Sequence, residues 1–168
     1  GIELSDAQKE AVRRSAGANL SLILGGAGTG KTTVLKALYD VLNELQPGIQ
    51  IFQLALAGRA AQRMAEATGK ESMTIAGFLT KIDPSQIDMG SVIVVDEVSM
   101  VDVILMYRLL RHIPPGVRLI LVGDPAQDDL GIVAGGERFL AAGKVERSAG
   151  HVLVRAEIAD QAAPREIP

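Results

Sequence analysis

The octet Gly25-Gly26-Ala27-Gly28-Thr29-Gly30-Lys31-Thr32 constrains this chain more than any other stretch. It satisfies the pattern G-x-x-x-x-G-K-[ST] and stands between two segments that give the pattern meaning. Before it, residues 20–24 form a short apolar run that reads as a buried strand. After it, Val34, Leu35, Leu38, Val41, Leu42 and Leu45 recur at helical spacing until Pro47-Gly48. A glycine-rich turn can spell the same letters, but a strand and a helix flank this one. In that setting the glycines let backbone N–H groups curl around phosphate oxygens, aided by the helix N-terminus. Lys31 is then expected to reach the β- and γ-phosphates, and the Thr32 hydroxyl to coordinate magnesium.

The alternation continues along the chain. Ser5-Asp6-Ala7-Gln8 has the spacing of a capping box and opens a helix to about residue 14. Strands are expected at 49–55, 92–95 and 117–122, with a further candidate at 151–156. Helices are expected at 58–68 and 99–112, the latter burying Ile104, Leu105, Leu109 and Leu110. Residues 74–79 read as a short helix or turn, 80–91 as a surface loop, and 137–142 as a candidate helix. Strands alternating with helices predict an α/β fold, a mostly parallel sheet covered on both faces. The 168 residues suit one domain.

Two acids end the apolar run Val92-Ile93-Val94-Val95. Carboxylates at the C-terminal end of a parallel strand face the crevice where ligands bind. Asp96 is expected to hold magnesium, directly or through water, and Glu97 to polarise the attacking water as general base. Ser99 could instead simply cap the next helix, leaving a solvated strand end. Leu121-Val122-Gly123-Asp124-Pro125-Ala126-Gln127 places a glutamine just past another strand, where it could contact the γ-phosphate or the water. Asp-Pro also suits an ordinary turn. Gln8 has two competing uses: as the third residue of the capping box, or reading an adenine edge with an amide that both donates and accepts.

Composition narrows the partners. A net charge of −3 argues against a dominant nonspecific attraction to nucleic acid. Aromatics make up 3%, few for a single-strand binder that works by base stacking. There are no cysteines, hence no disulfides or thiolate sites. The segment GIELSDAQKE lacks a signal-peptide pattern, and no apolar run approaches the roughly 18 residues of a membrane span. A cytoplasmic protein without membrane contact is the expectation.

Taken together, LSDAQKEAV, GGAGTGKTT, GRAAQRM, IVVDEVSMV and LVGDPAQ resemble, in order and spacing, the conserved segments of the first motor domain of RecD-like superfamily 1 DNA helicases. The resemblance runs over residues 4–127 and implies a RecA-like P-loop NTPase in which strand 117–122 lies between the P-loop strand and the Asp96-Glu97 strand. It implies ATP or ADP with Mg²⁺ as cofactors, an adenine-reading role for Gln8, and nucleotide contacts along Gly25–Thr32 and Thr33. Lys31, Glu97 and Gln127 take the catalytic roles, with Thr32 and Asp96 as magnesium ligands. Residues 1–168 are expected to form one such domain, diverged over 128–168.

Departures from the family fall on its DNA-facing positions. Leu56 and Ala57 replace a proline-threonine pair, Thr74-Ile75-Ala76-Gly77 lacks a polar pair, and Asp128-Asp129-Leu130 replaces a leucine-proline segment. Asp160 precedes Gln161 where the family has arginine. The expectation is an ATP-binding domain with weak, uncoupled hydrolysis and feeble single-stranded DNA binding. The alternatives are a nucleotide-binding scaffold module without turnover, natural or engineered, and a DNA motor that needs a separate second RecA-like domain.

Overall fold

A computed structural model describes residues 3–124 and the strand backbones at 146–148 and 151–158. In chain order these contain α1 (Asp6–Ala16), β1 (Leu20–Gly25), α2 (Lys31–Leu45), β2 (Ile51–Ala55), α3 (Gly58–Thr68), β3 (Ser72–Thr74) and α4 (Ile75–Lys81). Then follow β4 (Val92–Val95), α5 (Val103–His112), β5 (Arg118–Gly123), β6 (Glu146–Ser148) and β7 (His151–Ile158). The strands form one sheet in the order β3-β2-β4-β5-β1-β7-β6. Every neighbouring pair is parallel except β6 with β7.

Both faces of the sheet are covered, and the strand period of two decides which residue goes where. Val92 and Val94 of β4, with Ile120 and Val122 of β5 and Ile23 of β1, pack under α1, α2 and α3. Ile93 and Val95, with Leu119 and Leu121, pack on the other face against Phe78 of α4 and Met106 and Leu109 of α5. All four residues of β4 are buried, which accounts for its unbroken apolar run. The β5 strand pairs with β4 on one side and β1 on the other, as the resemblance implied.

One buried polar chain ties α2 to the β2–β3 edge. The Tyr39 hydroxyl donates to Gln53 Oε1 at 2.9 Å, and Gln53 Nε2 donates to the carbonyls of Lys70 and Glu71 at 3.0 and 3.1 Å. Both side chains are fully buried. Burial pushes the Tyr39 hydroxyl far above its usual pKa, so it stays a neutral donor.

Four details differ from the sequence reading. The helix expected at 99–112 begins at Val103, because Asp102 caps it by accepting the Leu105 N–H at 2.8 Å. Residues Val98–Met100 form a separate 3₁₀ turn. The buried side of α5 is Met106 and Leu109, whereas Ile104 and Leu110 are 73% and 50% exposed. Apolar residues surround most of that helix, so periodicity alone could not select the face against the sheet. Within 80–91, Pro84–Gln86 makes a 3₁₀ turn and Ile87 is buried. The strand at 151 extends to Ile158. The candidate helix at 137–142 lies outside the described residues.

Replacing Tyr39 by Phe should destabilise the protein by about 1–3 kcal/mol, since Gln53 Oε1 loses its buried donor. Urea unfolding of the two proteins checks this, and an unchanged midpoint would contradict it.

Candidate functional site

The C-terminal ends of β1, β4 and β5 lie along the same edge of the sheet, fixed by their parallel registers. From that edge β1 leads into α2 on one face, and β4 leads towards α5 on the other. Chains leaving neighbouring strands to opposite faces open a crevice, the usual ligand position in such sheets.

The octet fills the β1 side of that crevice. Gly28 and Gly30 have φ of 77° and 80°, left-handed values that strain any side chain. The loop therefore turns sharply and delivers the chain into α2 at Lys31. Gly30 occupies the N-cap of α2 without a side-chain cap, and the first turn of α2 contains no acid. The free N–H groups and the positive end of a 15-residue helix thus face the crevice with no acid of the helix's own first turn to offset them. Lys31 folds back on its own loop, its Nζ donating to the carbonyls of Gly25 and Gly26. The Thr29 hydroxyl donates to the same Gly26 carbonyl at 2.9 Å. Thr32 is exposed and Thr33 half-buried.

Across the edge, Asp96 is half-buried at the end of β4 and Glu97 is exposed. Burial raises the Asp96 pKa; the Glu97 N–H, donating to Oδ1 at 2.9 Å, opposes this, the Glu97 charge reinforces it, and the Lys31 charge counters it. That mutual influence brings together the two sides predicted from separate motifs. Asp96 makes no salt bridge among the described residues. A half-buried carboxylate with no salt bridge among the described residues fits a hard cation by its chemistry. Among the described residues no cluster of three or more His, Cys, Asp or Glu could hold a metal by itself. Glu97 has φ 51° and ψ 42°, and it is the one non-glycine residue with positive φ among those described. The sequence offered no sign of this, because glutamate is not a residue that ordinarily adopts left-handed backbone.

Gln8 reaches the octet from α1. Its Oε1 accepts the Ser5 N–H at 2.9 Å, closing the capping box, while its Nε2 donates to the Thr29 carbonyl at 3.0 Å. Each end of the amide makes one of these bonds, which leaves one N–H and one lone pair of the half-buried side chain. Gln127, Asp128, Asp129, Asp160 and Gln161 lie outside the described residues. On the DNA-facing side of the resemblance, Ala57 stands at the N-cap of α3 without a side-chain bond. Thr74 spends its hydroxyl capping α4 through the Gly77 N–H at 3.0 Å. Arg59 and Arg63 are exposed on α3. His112, at the end of α5, sits 2.7 Å from the Ile82 carbonyl, a structural contact distant from the octet in sequence and fold. Among the described residues no helix is long and apolar enough to cross a membrane.

Comparison with known proteins identifies the family and the fold. The family described as AAA domain matches residues 8–130. The ATP-dependent RecD2 DNA helicase of Deinococcus radiodurans is 37% identical over 133 residues, covering 74% of this chain and 18% of its own length. The RecBCD enzyme subunit RecD of Haemophilus influenzae is 35% identical, with 74% and 24% covered. The chain thus spans about a fifth to a quarter of the length of these curated relatives. In fold, it resembles the crystal structure of the Pif1 helicase from Candida albicans, with a TM-score of 0.53 and 24% identity over 74% of this chain and 33% of that one. The large terminase of the thermophilic bacteriophage D6E has a similar fold, with a TM-score of 0.52 and 13% identity over 73% and 39% of the two chains. The chain belongs to the AAA domain family and is related in sequence to the RecD and RecD2 proteins.

Proposed function

We propose that this domain binds Mg-ATP at the octet and, on its own, hydrolyses it slowly. The observation that carries the reading is the uncapped, acid-free N-terminus of α2 beside Lys31 and within electrostatic reach of Asp96. Phosphate oxygens would accept from the α2 N–H groups, and Lys31 would exchange the Gly25 and Gly26 carbonyls for the β- and γ-phosphates. Thr32 and Asp96 would hold the magnesium ion. When bound, that ion neutralises charge on the transferring phosphoryl group. Glu97 would take the proton of the attacking water, and Gln127 would contact the γ-phosphate or that water.

Slow turnover follows from what stabilises phosphoryl transfer. An arginine supplied to the γ-phosphate is worth roughly 10³–10⁵ in rate. In our reading that group comes from a second RecA-like domain. Single-stranded DNA binds weakly in this reading, since Ala57, Ala76 and Gly77 offer no side-chain hydrogen bonds where the resemblance places DNA contacts. Asp128 and Asp129 would repel phosphates, against the attraction of Arg59 and Arg63.

Lys31→Ala should weaken Mg-ATP binding by about 10- to 100-fold, the loss of a charged hydrogen-bond donor. Titration calorimetry decides it, and equal affinities would sink the reading. Glu97→Asn should abolish turnover while sparing binding. It should also stabilise the fold by about 0.5–1 kcal/mol, because asparagine tolerates the left-handed backbone that glutamate strains. Retained hydrolysis in that variant would remove Glu97 from the mechanism, and lowered stability would refute the strain.

A further inference from the structure

The amide of Gln8 joins two elements that are separate in sequence. Its Oε1 belongs to the capping box of α1, accepting the Ser5 N–H, while the Gln8 backbone N–H donates to Ser5 Oγ at 3.3 Å. Its Nε2 crosses 21 residues of sequence to the Thr29 carbonyl inside the octet. A capping box accepts glutamate or glutamine equally at this position. Glutamate here would turn an acceptor towards the Thr29 carbonyl, another acceptor. Only the amide can close the box and hold the loop at once.

The loop is shaped around that contact. A Cβ on Gly30 would come within 2.6 Å of Gln8 Nε2, so the amide head rests directly over the Gly30 backbone. The left-handed φ of 80° at Gly30 demands glycine independently. Thr29 is thereby held from both sides: its carbonyl by Gln8, and its N–H and hydroxyl by the Gly26 carbonyl at 3.4 and 2.9 Å. The neighbouring Gly30 carbonyl accepts the Val34 N–H at 3.0 Å, the first rung of α2.

We infer that Gln8 is a positioning residue for the phosphate loop, latching the Thr29 carbonyl so that the loop N–H groups are set for an anion before one arrives. This rests on the reading that the octet holds phosphates. It differs from base reading in its signature: a latch acts on any ligand bearing the phosphates, with or without adenine. Pre-ordering the loop lowers the entropy lost on binding, so its loss weakens binding without removing any direct contact.

The test uses the full chain with Gln8→Met, which keeps size and neutrality but loses both amide contacts. Ser5→Ala is the control: it removes the hydroxyl cap of α1 and leaves the Gln8–Thr29 bond in place. Calorimetry with Mg-ATP and with magnesium tripolyphosphate should show Gln8→Met weakening both by roughly 3- to 10-fold. Ser5→Ala should change either by less than about twofold. In the nucleotide-free protein, hydrogen exchange at the Thr29 and Val34 amides should quicken by a similar factor in Gln8→Met and not in Ser5→Ala. Weakened ATP binding with unchanged tripolyphosphate binding would overturn the latch in favour of base reading. Equal effects of the two variants would reduce Gln8 to a helix cap. Should the wild type bind neither ligand, the phosphate reading fails, while unchanged exchange in Gln8→Met still refutes the latch by itself.

Discussion

The arrangement depends on a parallel sheet buried on both faces. Its central strands cannot slide by one residue without moving Val92 and Val94 into the layer that holds Ile93 and Val95. That penalty locks the registers of β4, β5 and β1 together. Locked registers in turn fix where each strand ends, so Gly25, Asp96 and Asp124 leave the sheet along one edge. The site needs no long-range recognition between its halves. Core packing sets the distance between loop and carboxylates, and the loops only adjust direction.

Direction is where strain gathers. The described residues with positive φ at the site are Gly28, Gly30 and Glu97. Glycine takes that backbone without steric cost, but Glu97 does not. A side chain held against its preference at the mouth of a crevice suggests that its aim matters more than the stability lost. Lys31 shows the complementary feature. Its ammonium rests on two carbonyls of its own loop, a self-satisfied state that an incoming triphosphate must replace with stronger acceptors.

Much of this was legible from residue order. The octet announced itself because strand, glycines, lysine and helix coincide, and Val92–Val95 announced a central strand by being apolar without alternation. The Gln8 capping box was legible too, but not its second bond, because a contact spanning 21 residues leaves no local pattern. The start of α5 was misplaced because Ser99 and Asp102 are both good caps, and the left-handed turn at Glu97 uses up the first of them in a 3₁₀ turn. The β3 strand is three residues, Ser72–Thr74, too short for alternation to register, and is secured instead by Gln53 and Ser72 hydrogen bonds. The relationship to RecD was legible as well, in the order and spacing of five segments, and the RecD2 and RecD relatives bear it out.

The central claim is that the octet and the Asp96-Glu97 pair form one phosphate site. A crystal structure of this chain with Mg-ADP tests it most directly. The account predicts the β-phosphate against the N–H groups at the start of α2, with Lys31 Nζ moved from the Gly25 and Gly26 carbonyls to phosphate oxygen. It also predicts the metal between Thr32 and Asp96. A nucleotide bound elsewhere, or bound there with Lys31 still on its own carbonyls, would contradict it.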